Sequence, residues 1–480
     1  MRTLGRDFED TARKVYAVAS GALGNGKTCV VNSDGTVSVV AGSAVAAATG
    51  SATVFTNNEI EDLGISFDTE NNKVLIVYRD KDNSNYGTGI VGTISGTSIS
   101  FGSATVFASS TTLYPTCAYS SVREKHMVVY MNNSASQGYM IPATISGTSV
   151  SFGTAVSIAD GAISELRIVE DTSDTSNGTF VIIHRDGGQD GKSTVAQMAA
   201  DGAITKGNLH QWEGAGVVGI SLSHDTTNNK FLISFQTSTG HALVATRSGT
   251  GFSFGSKASF DSSAAATYTA CAFDSVVGKS VIAYTVSSVG KAVVATISGT
   301  DVTFGNPVQF EGGEVVFTSA AFNPDMKKVV IAYHDASAQD GKFVNVTISN
   351  TTPSFSTPAV FESGEVSSNT TANTYVGNGK MILGYSDKGD SEKGKVAILQ
   401  GAHTVTNLTS ENYIGITPNA YPDDAGAEIQ TKGAVNEEQS SLTAGQSYFV
   451  QTDGTLGTTA DDPSVFAGTA VSATKIIVKG

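Results

Sequence analysis

The side chains able to do chemistry in this chain are mostly carboxylates and hydroxyls, set in short loops rich in Asp and Gly. Four of these loops have a common place in the chain: RDKDNSNYG (Arg79–Gly87), RDGGQDGKS (Arg185–Ser193), HDASAQDGK (His334–Lys342) and SDKGDSEKGK (Ser386–Lys395). Asp80, Asp82, Asp186, Asp190, Asp335 and Asp340 could ligate Ca²⁺ or accept hydroxyls through carboxylate oxygens, with Tyr86 as a nearby stacking ring. None of the loops has the alternating acidic pattern and distant Glu of a calcium-binding loop, and Asp and Gly also supply ordinary turn geometry. The favoured reading is therefore solvated hairpin loops, with these residues as weak ligand candidates and no metal site.

The seven histidines, His126, His184, His210, His224, His241, His334 and His403, are scattered, with no pair at helical metal-ligand spacing. His184 and His334 both close a strand-like run (IIHRD, AYHD), which repetition explains better than ligation. No nucleophile elbow, zinc-protease helix, phosphate loop or dinucleotide fingerprint occurs, so no catalytic residue is assigned and no cofactor is expected. The nearest text to a sialidase-type Asp box, NSDGTVS (Asn32–Ser38), lacks its spacing and tryptophan and reads as a hairpin turn. Glycoside hydrolysis would need converging carboxylates. Glu61, Asp62, Glu165 and Asp171 lie near predicted strands, but nothing in the sequence pairs them. Tyr86, Tyr114 and Tyr268 are better sugar-stacking candidates than the single Trp212, which stands at a repeated packing position.

The elements that must hold these residues repeat. The run ISFGSATVF (Ile99–Phe107) recurs as VSFGTAVSI (Val150–Ile158), FSFGSKASF (Phe252–Phe260), VTFGNPVQF (Val302–Phe310) and PSFSTPAVF (Pro353–Phe361). Weaker copies are AATGSATVF (Ala47–Phe55) and ITKGNLHQW (Ile204–Trp212). The last apolar residues fall at 55, 107, 158, 212, 260, 310 and 361, a period of about fifty residues. Four strands can be read in each period. The second is nearly all apolar, as in VLIVYRD (Val74–Asp80), KVVIAYHD (Lys328–Asp335) and KMILGYSD (Lys380–Asp387), and seven such runs occur. An unbroken short apolar run is expected where a strand is buried on both faces.

Four-stranded units at this period predict an all-β fold, a seven-bladed β-propeller of antiparallel blades. The last unit lacks a fourth strand and the first copy of the motif lacks a partner. Pairing Thr49–Phe55 with the last blade would close the ring and remove two open edges; HTVTNLT (His403–Thr409) is the rival for that slot. The predicted organisation is an N-terminal attachment segment (1–46), the propeller (47–405) and a small C-terminal β-module (406–480). Arg6–Ser20 is predicted as a short helix and Gly26–Val40 as a hairpin turning at Asp34-Gly35. GQSYFVQTDGT (Gly445–Thr455) parallels GKTCVVNSDGT (Gly26–Thr36) in register.

The chain has 480 residues, with 44 acidic and 29 basic side chains, a net charge of −15, and a pI of about 4.9. Such a balance repels phosphate backbones and anionic membranes, so no nucleic acid is expected as a partner. Three cysteines, Cys29, Cys117 and Cys271, are too few for a disulfide framework. Cys117 and Cys271 occupy equivalent places (PTCAYS, TACAFD), where a small apolar side chain suffices. The N-terminus has no secretory apolar core and no stretch could span a bilayer as a helix, so synthesis in the cytoplasm and no membrane insertion are expected.

Two patterns carry a resemblance. The SGTS-x-SFG-x-x-x-x-F repeat resembles repeats in virion-associated proteins of tailed bacteriophages, and LTAGQSYFVQTDGTLGTT…VFAGTAVSATKIIVK (Leu442–Lys479) resembles a small β-module near the ends of phage tail-fibre proteins. The resemblance implies a non-enzymatic virion structural protein, in a tail fibre, appendage or capsid surface. Its propeller would be a rigid scaffold, and its termini would attach to other virion proteins and build a homo-oligomer. The alternative is a module that binds host surface glycan, with a glycan-degrading tail enzyme ranked last.

Overall fold

The computed structural model describes residues 13–159, 161–214, 216–367 and 371–479. The chain divides into two compact units, Ala47–Gly401 on the one hand and Met1–Ala46 with Ala402–Gly480 on the other.

The larger unit repeats one antiparallel meander. Val315–Asn323 pairs with Lys328–Asp335, which pairs with Asp340–Ser349, and this third strand pairs with Thr352–Phe355 and then Ala359–Glu362. The fourth strand is thus two short pieces on one partner, parted by the SFG or SFS corner. The glycine of that corner follows from close approach. A Cβ on Gly305 would stand 1.8 Å from the carbonyl oxygen of Thr351, in the third-to-fourth-strand turn of the next unit. Gly102 and Gly255 meet Thr148 and Thr300 in the same way. The SFG and SGT motifs are therefore two halves of one contact between consecutive units.

The second strands are buried on both faces, as their composition predicts. Val74, Leu75, Ile76, Val77 and Tyr78 have no exposed surface. Their alternation divides them between two neighbours. Val74, Ile76 and Tyr78 pack with Ile382, Val396 and Ile398, whereas Leu75 and Val77 pack with Val128, Tyr130 and Ile141. Each such side chain contributes about 1.5–3 kcal/mol of burial.

A ring pair fills most junctions between consecutive sheets. The last aromatic residue of one unit meets a ring on the second strand of the next: Phe107 with Tyr130, Trp212 with Phe235, Phe260 with Tyr284, Phe310 with Tyr333 and Phe361 with Tyr385, at centroid distances of 5.0–5.3 Å. Phe55 meets Tyr78 in the same way. Trp212 is thus packing, as its repeat position predicts.

Lys393–Gln400, the third strand of the last set, pairs with the N-terminal segment: Leu399 with Thr49, Val396 with Thr53, Lys395 with Val54. The rival His403–Thr406 pairs instead with Gly42–Val45. The boundary of the repeat unit accordingly falls at Gly401 and not at 405. Thr53–Asp68 and Thr105–Ser120 each run from the outer edge of one sheet into the first strand of the next.

The smaller unit corrects two expectations. Lys14–Val18, within the predicted helix Arg6–Ser20, is a strand paired along its length with Gly426–Gln430; residues 6–12 lie outside the described residues. A lone short helix is marginal in water, and KVYAV gains a full ladder from the waiting partner. The two chain ends also do not form separate modules. One sheet orders Lys14–Val18, Gly426–Gln430, Tyr413–Ile416, Thr28–Val31 and Val37–Val39. A second joins Val435–Asn436, Ile476–Val478, Val465–Ala470, Ser447–Val450 and Leu456–Gly457. The parallel texts fold alike: Asp34 accepts the Thr36 amide and Asp453 the Thr455 amide, both at 2.9 Å, before glycines at φ +83°.

Candidate functional site

The first strands of six units carry a bulge, whereas Ala372–Tyr375 of the last pairs without one. Pairing with the second strand skips between Glu61 and Leu63, Leu113 and Thr116, Ser164 and Arg167, Val218 and Ser221, Thr267 and Ala270, and Val316 and Ser319. The extra residue is left-handed each time: Asp62 (φ 47°), Tyr114 (53°), Glu165 (53°), Gly219 (60°), Tyr268 (51°) and Phe317 (51°). A left-handed Tyr or Phe is a strained choice that needs support from its surroundings, and bulges of this kind re-aim side chains. Ile60 pairs with Asp80 and Glu61 with Arg79, so the bulges sit at the end of the sheets where the second-to-third-strand loops emerge.

The bulge residues of the first three units assemble a charged cluster. Asp62 accepts the backbone amide of Tyr114, in the next unit, at 3.2 Å. Arg79 pairs with Glu61 and lies 3.6 Å from Asp62. Glu165 repeats the arrangement: it accepts the Ile220 amide of the following unit at 3.2 Å and lies 3.4 Å from Arg185. Arg185 also donates to Ser164 Oγ at 2.9 Å. Burial raises the Asp62 carboxyl above its ordinary value, and the nearby Arg79 charge only partly offsets this. Burial raises the Tyr114 phenol as well, helped by Asp62 and Glu165 and opposed by Arg185 and Arg79.

Arg167, two residues past the Glu165 bulge, is exposed to solvent, yet the surrounding chain encloses it enough for desolvation to lower its pKa. Glu165, Cys271 and Asp62, which come from three different first strands, act in the opposite direction. Its guanidinium donates to the carbonyl of Leu166 and forms no ion pair among the described residues. The later units contribute rings: Tyr268 and Phe317 meet edge to face at 4.7 Å, with Tyr268 37% exposed.

The loop carboxylates singled out in the sequence are largely occupied. Asp80 is buried and accepts from Asn58 Nδ2 and the Asn83 amide. Asp82 accepts the Glu59 amide at 2.9 Å, and Tyr86 is half-buried at the start of the third strand. Asp186 accepts the Gly188 and Asp190 amides at 2.9 Å; burial opposes ionisation, but these bonds and Lys192 outweigh it and hold the carboxyl below the usual range. Asp190 lies 3.2 Å from Lys192. Asp335 takes the Ser337 and Ala338 amides at 3.0 Å and Lys342 at 2.5 Å, with the same outcome. Asp340 pairs with Asp335 across the hairpin. Asp80, Asp186 and Asp335 cap their own loops.

Asp171 lies away from the cluster, buried against Arg247, with His224 at 3.8 Å. Cys117 and Cys271 are buried free thiols, and burial pushes Cys117 up to about 12. Among the described residues no three His, Cys, Asp or Glu side chains are placed to hold a metal ion. The carboxylates of the cluster and both tyrosines were visible in the sequence, whereas Arg79, Arg167 and Arg185 were not. The signal for Arg79 and Arg185 is the Arg-Asp pair ending the second strand in the two units that carry an acid at the bulge; Arg167 has none.

The site therefore belongs to an all-β protein of repeated four-stranded antiparallel sheets. No protein-family model and no curated protein matches the chain. Among solved structures it is similar to Sqt1 of Saccharomyces cerevisiae (11% identity, 74% of this chain and 99% of that chain, TM-score 0.47). It is also similar to a protein from Lactobacillus plantarum (11%, 74% and 97%, 0.48) and to the fucose-specific lectin from Aleuria aurantia (12%, 64% and 98%, 0.42).

Proposed function

We propose that residues 47–401 form a closed seven-bladed β-propeller that binds a polyhydroxylated ligand, a surface glycan, on its loop face without turning it over. Closure is supported by the pairing of Leu399 with Thr49 and by the apolar cluster joining Val74, Ile76 and Tyr78 to Ile382 and Ile398. The observation that carries the binding reading is the recurrent bulge. It brings Asp62, Tyr114, Glu165, Tyr268 and Phe317 to equivalent positions at one end of the sheets, with three guanidiniums among them. Carboxylates and guanidiniums that hold hydroxyls, beside rings that cover a sugar face, are the usual makings of a specific polar site. Binding without turnover is favoured because Asp62 and Glu165 each already hold a backbone amide and face an arginine.

The test is calorimetric titration of the full chain with host surface polysaccharides, together with Arg167→Ala. Binding weakened about tenfold or more by the substitution is expected, since a desolvated arginine is a common hot spot. Binding indifferent to Arg167, or release of reducing ends by the protein, would overturn the reading.

A second reading, a virion component that attaches through its terminal unit, is supported by the resemblance of Leu442–Lys479 and by the folding of both chain ends into one body. Imaging of the particle by electron microscopy, with density fitted by both units, tests it. Its absence from purified particles would remove it.

A further inference from the structure

One junction between sheets lacks the ring pair found at the others. Where Phe107, Phe260, Phe310 and Phe361 stand, the second unit has Ile158; where Tyr130, Tyr284, Tyr333 and Tyr385 stand, the third unit has His184. The equivalence is one of register as well as sequence: His184 faces Lys192 across the hairpin as Tyr333 faces Lys342. The acid that follows the phenylalanine at three of these junctions is missing too. Asp261, Glu311 and Glu362 accept the hydroxyls of Tyr284, Tyr333 and Tyr385, whereas Ala159 follows Ile158. The gap is not refilled. A cavity of about 300 Å³ opens there, lined by Ala162, Ile163, His184, Asp186, Lys192 and Leu209 among others.

His184 has no exposed surface, and among the described residues both its ring nitrogens lack a hydrogen-bond partner. A buried polar group without a partner is costly, so such a group facing a cavity calls for an occupant. Burial holds the imidazole neutral, with one nitrogen donating and the other accepting. A hydroxyl group can accept from the one or donate to the other. At the rim, Lys192 lies 3.5 Å from Asp186 and 3.2 Å from Asp190, so its charge is already matched and does not draw an anion. Ile163 and Leu209, the latter 42% exposed, supply apolar surface for a C–H face. The volume is at the lower end of the range for small-ligand pockets.

We propose that this junction is a binding site for one neutral monosaccharide, seated between the second and third sheets on His184 and separate from the bulge cluster. The larger hollow, about 440 Å³ and lined by Pro142, Val156 and the turn from Asp201 to Ile204, offers no comparable group, since Asp201 caps its own turn through the Ala203 amide.

The decisive variant rebuilds the ring pair of the other junctions: Ile158→Phe with His184→Tyr. Saturation-transfer NMR of the full chain with D-glucose, D-galactose, D-mannose and N-acetyl-D-glucosamine should show transfer to at least one of them. Affinity should fall by about tenfold or more in the double variant. Leu209→Arg, at the exposed rim, should also weaken binding, and covers the case in which the double variant does not fold. No transfer from any of the four sugars, or transfer that survives both blocking variants, would overturn the proposal. Transfer lost only in Arg167→Ala would overturn it while leaving the bulge-cluster reading in place.

Discussion

The carboxylate of Asp62 accepts the backbone amide of Tyr114, 3.2 Å away and one unit further along the chain. Both residues are left-handed and both occupy the extra position of a bulge. The bond therefore ties one strained residue to the next. Asp62→Ala leaves a partly enclosed amide without its acceptor, and should destabilise the protein by about 1–3 kcal/mol in urea unfolding. Asp62→Asn keeps an acceptor and should recover most of that loss. The folded-state pKa of Asp62 is raised, so its contribution favours the fold below the unfolded carboxyl pKa and is lost as pH rises through the folded value. Asp62→Asn should abolish that part of the pH dependence.

The ring pairs between sheets predict a larger effect. Phe310 is 7% exposed and touches both Tyr333 and the face of Gly290. Phe310→Ala should cost about 3–5 kcal/mol, read as a fall in the urea midpoint. Phe310→Leu should cost less, because part of the gap stays filled.

The corner glycines are required by contact and not by φ. Gly305 does not adopt a left-handed backbone, but a methyl group there would run into the Thr351 carbonyl. Gly305→Ala should lower the thermal midpoint by the equivalent of about 2 kcal/mol or more. Ser356, the residue at this corner in the next unit, should accept glycine with little change.

Two buried histidines make the fold acid-sensitive. Burial lowers His126 and His184 to about 4, well under the ordinary imidazole value of 6.5. Because the folded pKa is depressed, each favours the neutral, folded state at pH 7, and that stability is lost as pH falls from 6.5 toward 4. The loss should approach on the order of 3 kcal/mol per group. Urea midpoints measured across this window should fall, and His184→Tyr should flatten part of the slope.

The terminal unit predicts the behaviour of truncations. Removing 402–480 takes away the partners of Lys14–Val18 and Thr28–Val31 and leaves open strand edges. Light scattering after size exclusion should show aggregation of that truncation. A chain of residues 47–401 should stay monodisperse and unfold in one transition.

Much of this protein is legible in its residues because the repeat copies the same physics many times. The apolar run from Val74 to Tyr78, the SFG corner and the Asp-Gly turns each report a local requirement, and each lies in the structure where its pattern puts it. The segment from Lys14 to Val18 was misread for the opposite reason. Its helical spacing is local, whereas its partner, Gly426–Gln430, lies more than four hundred residues away. Asp62, Tyr114 and Glu165 were visible singly, but the one-residue slip that makes neighbours of them leaves no local signature.

By itself the sequence determined the strand meander, its period of about fifty residues and the burial of the second strands, because alternation and turn chemistry act between near neighbours. Only the tertiary structure decided which units touch, that both chain ends share one sheet, and that Ile158 and His184 leave a hollow where six other junctions hold rings. Those outcomes depend on contacts between residues far apart in the chain, and no stretch of sequence carries them alone.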